Sequence, residues 1–176
     1  VEKFNKVTNA ICTFIPDQAI SQAKKIDLKK DFELPLSGIP TFIKDLTATK
    51  GIRTTYGSRI YSENIPTKDD LIVERIKNAG AIIMGKSNTP EFGAGSQTFN
   101  DVFGTTNNPY DTSKTCGGSS GGAAVALACR MSPIAPGSDM GCSLRNPAAW
   151  NTVVGFMTSH RPVPILPFLL PSNFSL

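Results

Sequence analysis

The chain is poor in the residues that most often build a catalytic or metal site. It has one histidine, His160, so a histidine base or ligand has a single candidate. Four cysteines, Cys12, Cys116, Cys129 and Cys142, form no C-x-x-C pair and lie near no histidine at zinc-ligand spacing. Neither a metal site nor a disulfide framework is expected, and reduced thiols in a cytoplasmic setting are. No apolar run reaches the ~18 residues that a membrane span requires. The net charge is only +4, and the Lys and Arg residues are scattered. A solvated mixed-charge surface is therefore expected rather than a nucleic-acid patch. Position 1 is Val, with no signal-peptide pattern after it, which suggests a trimmed or partial chain. Internal repeats and low-complexity tracts are also lacking.

What is present suits one domain over residues 1–176, with 40% apolar residues to form its core. Fifteen glycines and 13 prolines imply many turns. Pro16 and Asp17 open a helical stretch to about Lys30, with Ala19, Ile20, Ala23 and Ile26 at helical spacing. Residues 34–43 read as a turn and then a strand, with Pro40 at its edge or start. Thr67 and Asp70 fit a loose capping box before Leu71, Ile72, Val73 and Ile76, and Gly80 supplies the stop. Residues 81–85 then form a short apolar run, which suits a buried parallel strand. A helix followed by such a strand points to an α/β layer fold. Residues 89–115 read as one long irregular region, 121–128 as a close-packing helix and 133–135 as a brief strand. A last helix is expected with Pro147 at its first position. The proline-rich end, 162–176, shows no period.

Three segments carry chemistry. Residues 117–122 read Gly-Gly-Ser-Ser-Gly-Gly and run straight into a helix. Free N–H groups and a positive dipole end therefore face that loop. It lacks the Gly-Lys-Ser/Thr ending of a phosphate-binding loop. It does match the G-x-S-x-G elbow of α/β-hydrolases with Ser119 as nucleophile, and Asp139 and His160 follow in the right order. An elbow also needs an apolar strand before the serine, and residues 110–116 do not read as one. Residues 137–145 read Gly-Ser-Asp-Met-Gly-Cys-Ser-Leu-Arg, a tight turn able to hold an oxyanion, which pairing of Asp139 with Arg145 would lock. Lys44 lies among apolar neighbours, where a lysine most often snorkels to the surface.

The order of these segments resembles the amidase signature family over about residues 36–163. The resemblance rests on Gly38-Ile39-Pro40 with Lys44-Asp45, on residues 80–92, on 117–122, and on 137–139 with Ser143-Leu144-Arg145-Asn146-Pro147-Ala148. It implies a mixed β-sheet sandwiched by helices, incomplete at the C-terminus, since members of that family are more than twice this length. It implies amide hydrolysis by acyl transfer on a small-molecule amide. Ser143 would be the nucleophile, Ser119, after a cis peptide bond, the proton relay, and Lys44 the base. The N–H groups of Met140, Gly141, Cys142 and Ser143 would form the oxyanion hole, supported by Ser120, Asp139 and Arg145. No cofactor is implied, and His160 is expected to play no part. Three further readings remain: an amidotransferase subunit for glutaminyl-tRNA formation, a non-catalytic truncated or degenerate fragment, and the Ser119 esterase. The family usually has glycine where Cys142 stands, glycine is also expected at Arg130 and a polar residue at Pro136, and the run at 155–159 departs from the family's.

Overall fold

A three-stranded sheet divides the core into two apolar clusters in the computed structural model, which describes residues 1–29 and 32–158. In chain order the elements are α1 (Glu2–Thr8), β1 (Ile11–Phe14), α2 (Pro16–Lys29), β2 (Pro40–Lys44), α3 (Leu71–Asn78), β3 (Ile82–Ser87), the short strands β4 (Phe99–Asn100) and β5 (Gly104–Thr105), α4 (Gly121–Ala128) and α5 (Arg145–Trp150). Strand β3 is central, parallel to β2 and antiparallel to β1. The fold is thus a mixed sheet between helices.

Strand alternation assigns the two faces. Phe42 joins Ala10, Ile11, Cys116, Val125 and Ala126 on the α4 side, whereas its neighbour Ile43 joins Ile52, Val73 and Ile83 on the α3 side. Lys44 comes two residues after Phe42 and so shares the α4 face. Ile43 pairs with Lys86 across the sheet, which places Lys86 on the α3 face. The register slips on both sides of β3 near Gly85. At φ +144°, a Cβ on Gly85 would lie 2.0 Å from the Thr13 carbonyl oxygen, so only glycine fits.

Several sequence expectations change. The capping box at 67–70 does not form. Asp70 holds the N-cap position, but its carboxylate accepts the Ala48 N–H at 2.7 Å, while Asp69 binds Lys77 Nζ at 2.7 Å. The acidic pair thus ties a loop to α3 rather than capping it. Residues 133–135 form no strand, because the Ile134 carbonyl accepts side-chain hydroxyls from Thr41 and Ser132 instead of a ladder N–H. Helix α5 begins at Arg145, with Pro147 still in its first turn, where a missing N–H is harmless. The irregular region 89–115 contains the β4–β5 pair. Lys30, Ser159, His160 and the 162–176 end lie outside the described residues.

Phe42 is wholly buried. Phe42→Ala should cost about 3–5 kcal/mol in urea unfolding, the usual penalty for emptying an aromatic core site. Leu28→Ala, at a position 84% exposed, should leave the midpoint within about 0.5 kcal/mol of the parent.

Candidate active site

The glycine–serine loop is pressed between β3 and the irregular region. Thr98 clamps it, its hydroxyl donating to the Gly117 carbonyl at 2.8 Å and accepting the Gly121 N–H at 3.2 Å. A Cβ on Gly122 would sit 2.3 Å from the Asn88 nitrogen and 2.5 Å from the Ala10 carbonyl oxygen, so the first turn of α4 can dock only without side chains. The Gly118–Ser119 peptide bond is cis. Ser120 stands at the N-cap of α4, yet its hydroxyl makes no capping bond.

That hydroxyl goes to Lys44. Lys44 Nζ lies 2.7 Å from Ser119 Oγ, 3.0 Å from Ser120 Oγ and 2.8 Å from Ser138 Oγ, and the side chain is 2% exposed. Burial disfavours its charged form and lowers its pKa to about 7, with Asp139 pulling the other way. The amine also sits at the N-terminal end of α4, whose dipole disfavours a cation.

A second buried lysine shows what is distinctive about the first. Lys86 Nζ contacts the Thr47 carbonyl at 2.5 Å, Thr49 Oγ1 at 2.8 Å and Thr54 Oγ1 at 3.0 Å. Both threonine hydroxyls spend their own protons on carbonyls, those of Thr47 and Ile52. All three partners of Lys86 therefore only accept, which suits an ammonium. Burial lowers its pKa to about 8 and Asp45 opposes that. Every partner of Lys44 is a hydroxyl, and those of Ser119 and Ser138 are committed to no carbonyl among the described residues, so they can donate to it as well as accept. Lys44 can work as a neutral amine, and Lys86 is a structural cation.

The turn at 137–145 is organised by one carboxylate. Asp139 accepts the N–H groups of Cys142 (2.7 Å), Leu144 (3.2 Å) and Arg145 (3.1 Å), and two donors of the Arg145 guanidinium at 2.9 and 3.0 Å. This bidentate pair, together with the main-chain donors, holds the Asp139 carboxyl well below the usual range. Among the described residues, the N–H groups of Met140, Gly141 and Ser143 make no hydrogen bond. The Cys142 N–H does not belong with them. Its φ is +77°, and its N–H is turned back onto Asp139. Arg130, the other position where glycine is expected, also has a positive φ, of +54°. Both substitutions thus fall where a side chain is strained.

Lys44, Ser119 and Ser120 are brought together, and Asp139 meets Arg145. Ser143 is close by but not joined to Ser119. Its hydroxyl makes no hydrogen bond among the described residues, and its carbonyl accepts the Ser120 N–H at 3.0 Å. Asn151 fixes the helix behind it, donating to the carbonyls of Cys116 and Pro147 at 2.7 Å each. Sequence reasoning missed Ser138, Thr98 and Asn151. Only Ser138, inside the turn motif, carried a signal. No strand leads into Ser119: residues 110–116 form turns and a single bridge from Thr115 to Asn107. The elbow arrangement is therefore absent. No helix among the described residues is long and apolar enough to cross a membrane.

The site is thus a buried lysine wired to serine hydroxyls beside a mixed α/β sheet. The chain belongs to the amidase family, whose family model, described as Amidase, matches residues 1–173. It is 41% identical over 162 residues to a glutamyl-tRNA(Gln) amidotransferase subunit of Dehalococcoides mccartyi, covering 91% of this chain and 33% of that protein. A bacterial aryl acylamidase of the amidase signature family superposes with TM-score 0.77 and 30% identity, over 84% of this chain and 32% of that one. A 6-aminohexanoate cyclic dimer hydrolase does so with TM-score 0.76 and 30% identity, over 84% and 30%. The chain spans about a third of the length of the relatives it matches.

Asp139→Asn should loosen the turn and lower the urea midpoint at pH 7. Because the Asp139 carboxyl is depressed in the folded state, its contribution is complete above the unfolded value of about 4 and fades as pH falls below it. The gap between variant and parent should narrow on acidification, as read from midpoints at pH 7 and pH 3.

Proposed function

We propose that this chain carries the acyl-transfer site of an amidase acting on a small-molecule amide. The observation that supports it best is Lys44, buried with hydroxyl partners alone and balanced near neutrality between its two protonation states. A neutral Lys44 takes the Ser119 hydroxyl proton, Ser119 takes that of Ser143, and the Ser143 oxygen attacks the amide carbonyl. The unpaired N–H groups of Met140, Gly141 and Ser143 receive the oxyanion. The same proton returns through Ser119 to the leaving amine, and water then hydrolyses the acyl-enzyme. Catalytic hydrogen bonds are commonly long in a free enzyme and tighten with substrate, so the open Ser143–Ser119 gap is compatible with this route. The reaction is assigned to a cytoplasmic setting, where the exposed Cys142 thiol stays reduced.

Incubation with an activated ester or amide, followed by intact-mass and peptide mapping, tests the reading. Acylation should map to Ser143. Lys44→Met, Ser119→Ala and Ser143→Ala should each lower its rate by at least about 100-fold. The rate should rise with pH through a midpoint near about 7, because Lys44 must lose its proton to act as a base. Acylation of Ser119 in a Ser143→Ala background, or a flat pH profile, would refute the assignment.

Two other readings have specific support. The relatives named as amidotransferase subunits favour a role in glutaminyl-tRNA formation. Turnover that depends on glutamine and a partner protein would select it. The strained Cys142 and Arg130 favour a degenerate copy. Because the Cys142 N–H is committed to Asp139 rather than to the substrate, Cys142→Gly should change the acylation rate far less than the ~10²–10³ that a lost oxyanion donor costs. A gain of that full size would show the cysteine to be disabling.

A further inference from the structure

We infer that Ser138 is a positioning residue for Lys44, accepting one of its N–H groups so that the neutral amine turns its lone pair toward Ser119. This rests on the amidase reading and follows from counting protons. An ammonium has three N–H groups, and three hydroxyls surround Lys44 Nζ at 2.7, 3.0 and 2.8 Å. A neutral amine has two N–H groups and one lone pair, so one of the three hydroxyls must reverse and donate.

Ser120 cannot be the one that reverses. Its hydroxyl donates to the Ser138 carbonyl at 3.3 Å, and its oxygen already accepts the Ser138 N–H at 3.2 Å. Toward Lys44 it only accepts, in either protonation state. The lone pair is therefore contested by Ser119 and Ser138, and their surroundings decide between them. Ser119 is 2% exposed and makes no other side-chain hydrogen bond among the described residues, so its proton has Lys44 as its sole outlet. A buried donor left unpaired is costly. Ser138 is exposed, and water can take its proton at little cost. Ser138 therefore accepts from Lys44 and donates outward, while Ser119 donates to Lys44, the direction that proton relay needs. The two main-chain bonds to Ser120 hold Ser138 in place for this. Of the three serines around the amine, Ser138 is the exposed one, Ser119 and Ser120 being buried. The charged group acting on Lys44 is Asp139, itself paired with Arg145.

Ser138→Thr and Ser138→Val make a near-isosteric pair that differs in the hydroxyl. Titration of Lys44 by NMR of its side-chain nitrogen or terminal carbon reads the contact without any turnover. Loss of the acceptor removes more from the ammonium than from the amine, so the midpoint should fall by about one pH unit in the Val variant. The Thr variant should titrate as the parent does. Acylation at saturating activated ester should be on the order of tenfold slower in the Val variant than in the Thr variant, the effect of one charge-assisted hydrogen bond. KM should be unchanged. Equal Lys44 midpoints in the two variants would overturn the inference. If Ser138→Val fails to fold, Ser138→Ala against Ser138→Thr makes the same comparison. A parent chain that is never acylated counts against the amidase reading alone, and the Lys44 titration still decides this one.

Discussion

Burial of the Lys44 amine under the first turn of α4 is the constraint on which the rest of the site depends. A lysine gives up water only where neutralisation is cheap or partners are many. Here both conditions hold: three hydroxyls replace water, and the pKa falls to about 7. Those hydroxyls come from two distant loops, at 119–120 and at 138. Gly121 lets one loop pack against Thr98 and Cys116, Gly122 lets it pack against Asn88 and Ala10 at the ends of β3 and β1, and the Ser120–Ser138 bonds join the second loop to the first. Packing, backbone shape and proton affinity are thus settled together at one atom.

The sheet separates this chemistry from a cation that looks similar. Lys44 and Lys86 sit on adjacent paired strands, and both are fully buried. Strand alternation sends them to opposite faces, where the partners differ: three hydroxyls surround Lys44, and groups that only accept surround Lys86. Lys86 holds the loop of Thr47, Thr49 and Thr54 onto the α3 face, where buried Asp45 binds Thr55. That loop follows β2 directly, so the structural lysine braces the strand that presents Lys44.

The turn at 139–145 is preorganised by Asp139 at the expense of one of its donors. Three main-chain N–H groups and a bidentate guanidinium converge on a single carboxylate. The Cys142 N–H is consumed in this way, while the N–H groups of Met140, Gly141 and Ser143 make no hydrogen bond among the described residues. Placing cysteine at φ +77° strains the backbone, and its N–H is the one spent on Asp139. The substitution therefore costs local stability rather than the shape of the donor cluster.

Much of this was legible in the sequence, wherever the physics is local. The apolar run at 81–85 announced a buried strand, the small residues of 121–128 a close-packed helix, and the glycine–serine order a family of folds. Asp139 and Arg145 are near enough in sequence for their pairing to be foreseen. Other features depended on contacts between distant segments. Asp70 looked like part of a cap until Ala48 arrived beside it, and the Ile134 segment looked like a strand until Thr41 and Ser132 took its carbonyl. Lys44 and Lys86 each follow an apolar stretch in the sequence, and nothing local distinguishes a lysine wired to hydroxyls from one held by acceptors alone. Only the tertiary structure decided that, because the protonation a lysine can bear is set by whether the groups packed around it can give a hydrogen as well as take one.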